Sequence, residues 1–319
     1  MNKKQKLLVL GTIALAISLT AFASYNWVTN PESNKLKVVA TFYPLAYLSQ
    51  EIGGDLVQVT QLVPSNTEIH SWEPSPSHVA SAERADVIVY NGAGLDHWME
   101  TEILSSLSNS KNRTIVNTTE GLELLSSESE NHEHEAEHEH EHGPYDPHTW
   151  VSPYMAKLQA EKIYMALVQR DSTHASHYTE KWLNLKSTLE QLDSDYVAGI
   201  SSKHKNETFV THEAFGYLAH RYGFEQHGVI GLSADEQPSA TTIANLVNLM
   251  IESETFVVYV DPVYSDEYAQ TLRNELQTQT GRTVQVLKLY LMLGLVDEKD
   301  YLEQIRSNLN NLRIGLDAT

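Results

Sequence analysis

The chain contains no cysteine in its 319 residues. That rules out a disulfide framework and leaves no lipobox cysteine for a bacterial lipid anchor. Basic residues are scarce: 22 lysines and arginines face 42 aspartates and glutamates, giving a formal charge of −20 and a pI near 5.1. Nucleic acid and anionic membrane surfaces both call for a basic footprint, so neither is expected as a partner; a cation suits this surface better. The Walker loop and the GxSxG elbow are also missing from the sequence, and HExxH strings occur only inside the alternating Glu–His tract, at His134–His138 and His138–His142, not on a helix-forming segment of the zincin kind. That removes the commonest hydrolases and nucleotide-dependent enzymes without excluding every enzyme. With 41% hydrophobic and 20% charged residues, the length allows one large or two ordinary globular domains.

Histidine, by contrast, is concentrated. Residues 131–150 read NHEHEAEHEHEHGPYDPHTW, with His132, His134, His138, His140 and His142 in one run and His148 just beyond. Imidazole is the commonest protein ligand for zinc and related borderline metals, so the tract points to metal capture. Alternating Glu and His offers nothing apolar to bury, and a solvated loop is expected. A polar insertion without a ligand role is the plain alternative.

At the start of the chain, Lys3, Lys4 and Lys6 precede the apolar stretch Leu7–Ala23, which ends in Ala21-Phe22-Ala23. A basic head, an apolar run and a small-x-small end read as an export signal. The 17 residues of that stretch fall at the short edge of a spanning helix, which needs ~20. Residues 1–23 are therefore expected as a cleaved signal or, second, as an uncleaved anchor with 24–34 as a tether. Either places the remainder outside the cytoplasm. Asn112, Asn117 and Asn206 fit the glycosylation acceptor pattern, which is compatible with that address.

From Lys37 onward, strand-like and helix-like segments alternate. Lys37–Ala40 and Val57–Val63 read as strands around a helix at Pro44–Gly53. A helix opening on a Ser N-cap is expected over Ser77–Ala85, then the strand Asp86–Tyr90 and a helix over Leu95–Leu107. A loop over 126–143 interrupts the pattern, and Ser152-Pro153 marks a helix start. The next helix runs from His174 to Ile200, with Tyr178, Trp182, Leu185, Leu189, Leu192, Tyr196 and Ile200 at helical spacing. The second half repeats the alternation: strands at Thr208–Thr211, Gly228–Leu232, Phe256–Val260 and Thr283–Leu289, each followed by a helix. Such βα repetition implies parallel sheets. The expected fold is α/β: two parallel-sheet lobes, 35–172 and 202–319, joined by a long rigid helix over 173–201. A ligand site is expected in the interlobe cleft, outside the carboxyl ends of the strands.

His70 follows a strand, His148 sits in Asp146-Pro147-His148-Thr149-Trp150 before a helix start, and His212 closes a strand in the second half. Pro147 restricts its neighbours and can stiffen a ligand loop. Singly each histidine is weak evidence; together they place two candidate ligands in one lobe and one in the other. His78, His97, His174, His177, His204, His220 and His227 fall within helices or ordinary loops and are read as solvated or structural.

Four stretches carry a more specific likeness: VVATFYPLAYLSQEIGGD, VPSNTEIHSWEPSPSHVASAERADVIVYNGAGLDHWME, DPHTWVSP and VTHEAFGYLAHRYGF. The chain resembles the zinc-type metal solute-binding proteins of ABC importers, the cluster A-I or cluster 9 family, over nearly all residues after Lys35. The resemblance implies first-lobe metal ligands at His70 and His148 and a second-lobe ligand at His212. It also implies Zn²⁺ as transported ligand, an ABC permease and its ATPase as partners, and a monomeric receptor. Manganese-type relatives typically carry a carboxylate where His212 stands, and three imidazoles suit zinc better. One departure is clear: many relatives take a fourth, carboxylate ligand from the loop after the last strand, which here reads Leu289-Tyr290-Leu291-Met292-Leu293-Gly294. Water, a loop histidine, or a nearby acid such as Glu68 or Asp261 is then expected to complete the tetrahedron.

The expected function is an extracytoplasmic zinc receptor serving an ABC permease, with coordination and no catalysis. Two alternatives stand beside it: a hydrolase with an open His₃ zinc site, and a surface adhesion protein.

Overall fold

The structure, a computed structural model, describes residues 35–108, 112–127, 144–232 and 237–318. The basic-apolar N-terminal segment and the His-rich tract lie outside the described residues. No helix among the described residues is long and apolar enough to cross a membrane.

Eight strands form two four-stranded sheets. The first contains β1 (Leu36–Ala40), β2 (Val57–Gln61), β3 (Val87–Tyr90) and β4 (Thr114–Asn117) in the order β2-β1-β3-β4. The second contains β5 (Glu207–His212), β6 (Glu225–Ile230), β7 (Val257–Val260) and β8 (Gln285–Lys288) in the order β6-β5-β7-β8. Pairings β1–β3 and β3–β4 are parallel, as are all three pairings of the second sheet. Every residue of β3 and of β7 is buried. Both strands read as unbroken apolar runs, VIVY and VVYV, because helices cover both faces of a parallel sheet. The two orders are the same, so each sheet has a switch point, between β1 and β3 in one and between β5 and β7 in the other. Crevices at such points are where α/β sheets bind ligands.

In the first lobe, α1 (Tyr43–Gly53) follows β1, α2 (Pro76–Arg84) precedes β3, and α3 (Pro153–Arg170) starts at the Ser152-Pro153 pair. The long helix α4 (Ala175–Ile200) has 26 residues, about 39 Å at 1.5 Å each. Its buried residues are Tyr178, Trp182, Leu185, Leu189, Leu192, Tyr196 and Ile200, the whole stripe read from the spacing. It packs on α1 and α3 at one end, and at the other on α5 (Gly216–Tyr222) and α8 (Tyr301–Gly315). The remaining helices, α6 (Ala240–Glu252) and α7 (Glu267–Thr280), close over the second sheet. Val247, Met250, Leu272 and Leu276 from these helices bury against Phe209 and Val258.

Local readings shift in four places. The cap of α2 is Ser75, not Ser77: the Ser75 amide donates to His78 Nδ1 at 2.9 Å, and Pro76 supplies the first helical residue. Within the helix expected over Leu95–Leu107, Met99–Leu104 adopts a π-helical pattern. Strand β4 was not expected at all; its four residues are short and only Val116 is buried. The helix after His212 begins only at Gly216, and β6 already starts at Glu225.

Candidate metal centre

The three histidines marked in the sequence come together. Nε2 of His70 lies 3.2 Å from Nε2 of His148. Ring centroids are 5.2 Å apart for His70–His148, 5.1 Å for His148–His212 and 6.1 Å for His70–His212. One ligand nitrogen from each ring falls within 4.8 Å of the other two. A tetrahedral ion with bonds of about 2.0–2.1 Å separates its ligands by roughly 3.3 Å, so the spacing of the first pair already has the right edge length. His148 and His212 are buried and His70 is half-buried. No further acid or histidine joins this group among the described residues.

Each histidine is set by its own local structure. His148 is held from two sides by Asp146, whose Oδ1 accepts from the His148 amide at 2.9 Å and faces Nδ1 at 2.8 Å. That contact leaves Nε2 turned toward the cluster and fixes the tautomer a ligand histidine needs. Burial keeps His148 well below the usual histidine range, reinforced by the neighbouring His212. The imidazole is therefore neutral and ready to coordinate. Burial also pushes Asp146 up to about 7, against the hydrogen bond from the His148 amide and the influence of His212. A dication on Nε2 would favour the Asp146 carboxylate.

Behind this loop, Asn91 Nδ2 donates to the Pro147 carbonyl at 3.0 Å, and Gln159 Nε2 donates to Asn91 Oδ1 at 3.0 Å. From the second lobe, Tyr217 Oη donates to the Asp146 carbonyl at 2.7 Å. Gly216 explains itself here: a Cβ on it would meet Asp146 Oδ2 at 2.6 Å, pushing the carboxylate that orients His148.

His212 is the last residue of β5, at the carboxyl edge beside the second switch point, and its Nε2 lies 2.9 Å from the Leu232 carbonyl. His70 is reached from β2 through a short loop. Glu68 Oε1 accepts from the amides of Ile69 and His70, each at 2.9 Å, while Oε2 accepts from Tyr264 Oη of the other lobe. Asp261 is likewise committed to backbone: Oδ1 accepts from the Val263 amide at 2.6 Å and Oδ2 from the Leu291 amide. Both acids named as possible fourth ligands thus hold loops in place.

Beside His70 and His148 the lining is apolar, with Ile69, Leu95, Trp150, Leu291 and Leu293 around a closed recess with essentially no free volume. Leu289 to Leu293 are all buried. Trp150 Nε1 donates across the lobes to the Leu291 carbonyl at 2.8 Å, and the Asn66 amide to the Leu293 carbonyl at 2.9 Å. Sequence reasoning did not find Asp146 as the orienting acid, although an acid two residues before a ligand histidine was its available signal. Tyr264 and Asn91 carried no such signal.

The profile of the family described as "Zinc-uptake complex component A periplasmic" matches residues 38–315. The high-affinity zinc uptake system protein ZnuA of Bacillus subtilis is 32% identical over 321 aligned positions, covering 99% of this chain and 98% of that protein. Among solved structures, the Zn(II)-bound ZnuA-like domain of Streptococcus pneumoniae AdcA is 27% identical, with a TM-score of 0.72, covering 89% of this chain and 99% of that one. The laminin-binding protein Lmb of Streptococcus agalactiae is described as bifunctional, with adhesin and metal-transporting activity. It is also 27% identical, with a TM-score of 0.75, and covers 88% of this chain and 99% of its own.

Proposed function

This chain belongs to the zinc-uptake component A (ZnuA) family, and on that premise we propose that it captures Zn²⁺ outside the cytoplasm and hands it to an ABC-type permease. The observation that carries the reading is the convergence of His70, His148 and His212 from two lobes to within 4.8 Å of one another. In it, His70 and His148 are the first-lobe ligands, His212 is the second-lobe ligand, and water takes the fourth position. Three imidazole ligands favour zinc over manganese, which prefers more oxygen.

Capture needs no catalytic group, because the ion is the cargo. A hydrolase would need a substrate pocket beside the metal, and pockets for organic ligands run to ≈ 300–1,000 Å³. The recess beside His70 and His148 has essentially no free volume, far short of that range. Release follows from the two-lobe ligand set: separating the lobes withdraws His212 and leaves a weaker two-histidine site. The buried stripe of α4 resists bending, so small shifts of the cleft loops accomplish this. Docking on the permease, with its ATPase, drives the shift by preferring the open form.

Equilibrium dialysis of the metal-free protein against equal Zn²⁺ and Mn²⁺, read by elemental mass spectrometry, tests the proposal. One tightly held zinc with manganese excluded is expected. Equal retention of both metals overturns the zinc reading.

A further inference from the structure

We propose that Glu207, Glu225 and His227 form a second site for a divalent cation, at the opposite edge of the second-lobe sheet from the histidine cluster. The site and its ligand are independent of the three-histidine centre. Glu207 opens β5, whose other end is His212, so the two sites lie about 16 Å apart along the strand at about 3.3 Å per residue.

The parallel register creates the site. Glu207 pairs with Glu225 and Phe209 pairs with His227 across β5 and the edge strand β6. Residues two apart on a strand share a face, so both glutamates and the imidazole project together. Their ligand atoms all lie within 4.8 Å of one another. The His227 ring stacks on Phe209, with centroids 5.3 Å apart and planes at 29°, and its Nε2 reaches Glu207 Oε2 at 2.5 Å. Phe209 is itself fully buried in the second-lobe core, so the imidazole rests on a rigid platform.

The charge arrangement calls for a cation. Like charges held close together repel, yet Glu207 and Glu225 are register partners on parallel strands. Among the described residues, neither has a lysine or arginine partner. Two occupants can compensate them: a proton on His227, or a metal ion bound by all three side chains. Imidazole nitrogen and carboxylate oxygen are both zinc ligands. A zinc ion enters if the 2.5 Å pair opens by roughly 0.8 Å to the ligand spacing of a tetrahedral ion. His227 and Glu207 are only about a quarter exposed, while Glu225 is exposed and leaves the approach open. Filled, the site pins the start of an edge strand to its neighbour. The sequence alone gives His227 a merely structural role; its pairing with two acids depends on a register that the sequence does not display.

The test uses Zn²⁺ as the probe and the full chain in every arm, so that the His-rich tract contributes equally and cancels. Bound zinc is counted by elemental mass spectrometry at fixed free zinc for wild type, His227→Ala and the conservative surface variant Glu225→Gln. One equivalent fewer is expected in His227→Ala. In Glu225→Gln that equivalent should weaken by about tenfold or more, and the tight equivalent should persist in both. In parallel, the His227 ring resonances are followed by NMR at constant pH and should shift on zinc addition. Unchanged zinc counts in both variants overturn the proposal. So does a His227 signal that follows pH but ignores zinc, since that identifies the proton as the occupant.

Discussion

Tyr264 donates its hydroxyl hydrogen to Glu68 across the cleft, and the other oxygen of the same carboxylate holds the amides of Ile69 and His70. One carboxylate therefore ties the second lobe to the backbone of His70, a proposed first-lobe ligand. The Tyr264 ring also stands edge-on to His212, with centroids 5.8 Å apart, so the contact forms beside the cluster. Replacing Tyr264 by Phe removes the hydrogen bond and keeps the ring. Zinc dissociation should accelerate by about tenfold, the scale of a hydrogen bond to a charged group, with association little changed. Stopped-flow mixing of loaded protein with excess chelator measures the rate. An unaltered dissociation rate would show that Tyr264 plays no part in retention.

His212→Ala leaves a two-histidine site confined to one lobe. Zinc affinity should fall by on the order of 10³, a ligand's share of a site worth ≈ 10–16 kcal/mol. Competition against a chromophoric chelator reads the change. Wild-type affinity in this variant would mean that His212 is not a ligand.

Asp146→Asn retains an oxygen near the His148 amide but removes the charge that steadies the Nδ1 proton. Partners of this kind are typically worth 10–100-fold in metal affinity. Zinc binding should weaken within that range while the thermal midpoint of the metal-free protein moves little. Should the affinity stay fixed, the orienting role of Asp146 is wrong.

Asp96 supplies a pH signature of its own. Its carboxylate is buried and accepts from the amides of Asn91 at 2.7 Å and Gly92 at 2.8 Å. Burial outweighs those bonds and raises it from 3.8 to about 6. The folded protein thus holds this proton more tightly than the unfolded chain. The resulting stability is full below pH 3.8 and is lost as pH rises through about 6, which follows from proton linkage. A shift of about two units corresponds to up to about 3 kcal/mol. Urea unfolding of metal-free wild type and Asp96→Asn between pH 4 and 7 isolates the term. The wild type should lose stability relative to the variant as pH rises, and parallel pH curves would contradict this.

The legible features are those written by local periodicity or by a single loop. The α4 stripe from Tyr178 to Ile200 is visible because one helix face repeats every three or four residues. The VIVY and VVYV strands stand out because burial on both faces leaves no polar position. His148 is legible through the proline beside it and the helix start after it. Features made by distant pairing are hidden. Tyr264 meets Glu68 over 196 positions, and no spacing rule joins them. The Ser75 cap depends on His78 turning its ring back, where a carboxylate or amide is the usual partner. Strand β4 is an edge of four residues with one buried side chain, too little pattern for a period of two to declare itself.

Trp150 gives this protein an optical reporter of its own. The indole is buried, its ring centroid lies 5.3 Å from that of His148, and its Nε1 is anchored to the Leu291 carbonyl on the opposite lobe. Any event that changes the charge on His148 or parts the two lobes changes the field or the hydrogen bond at that chromophore. Intrinsic emission can therefore follow loading and discharge in the unmodified chain, without a dye or a label. Trp72, Trp98 and Trp182 sit against other rings, and comparison with Trp150→Phe separates the contribution of Trp150 from theirs.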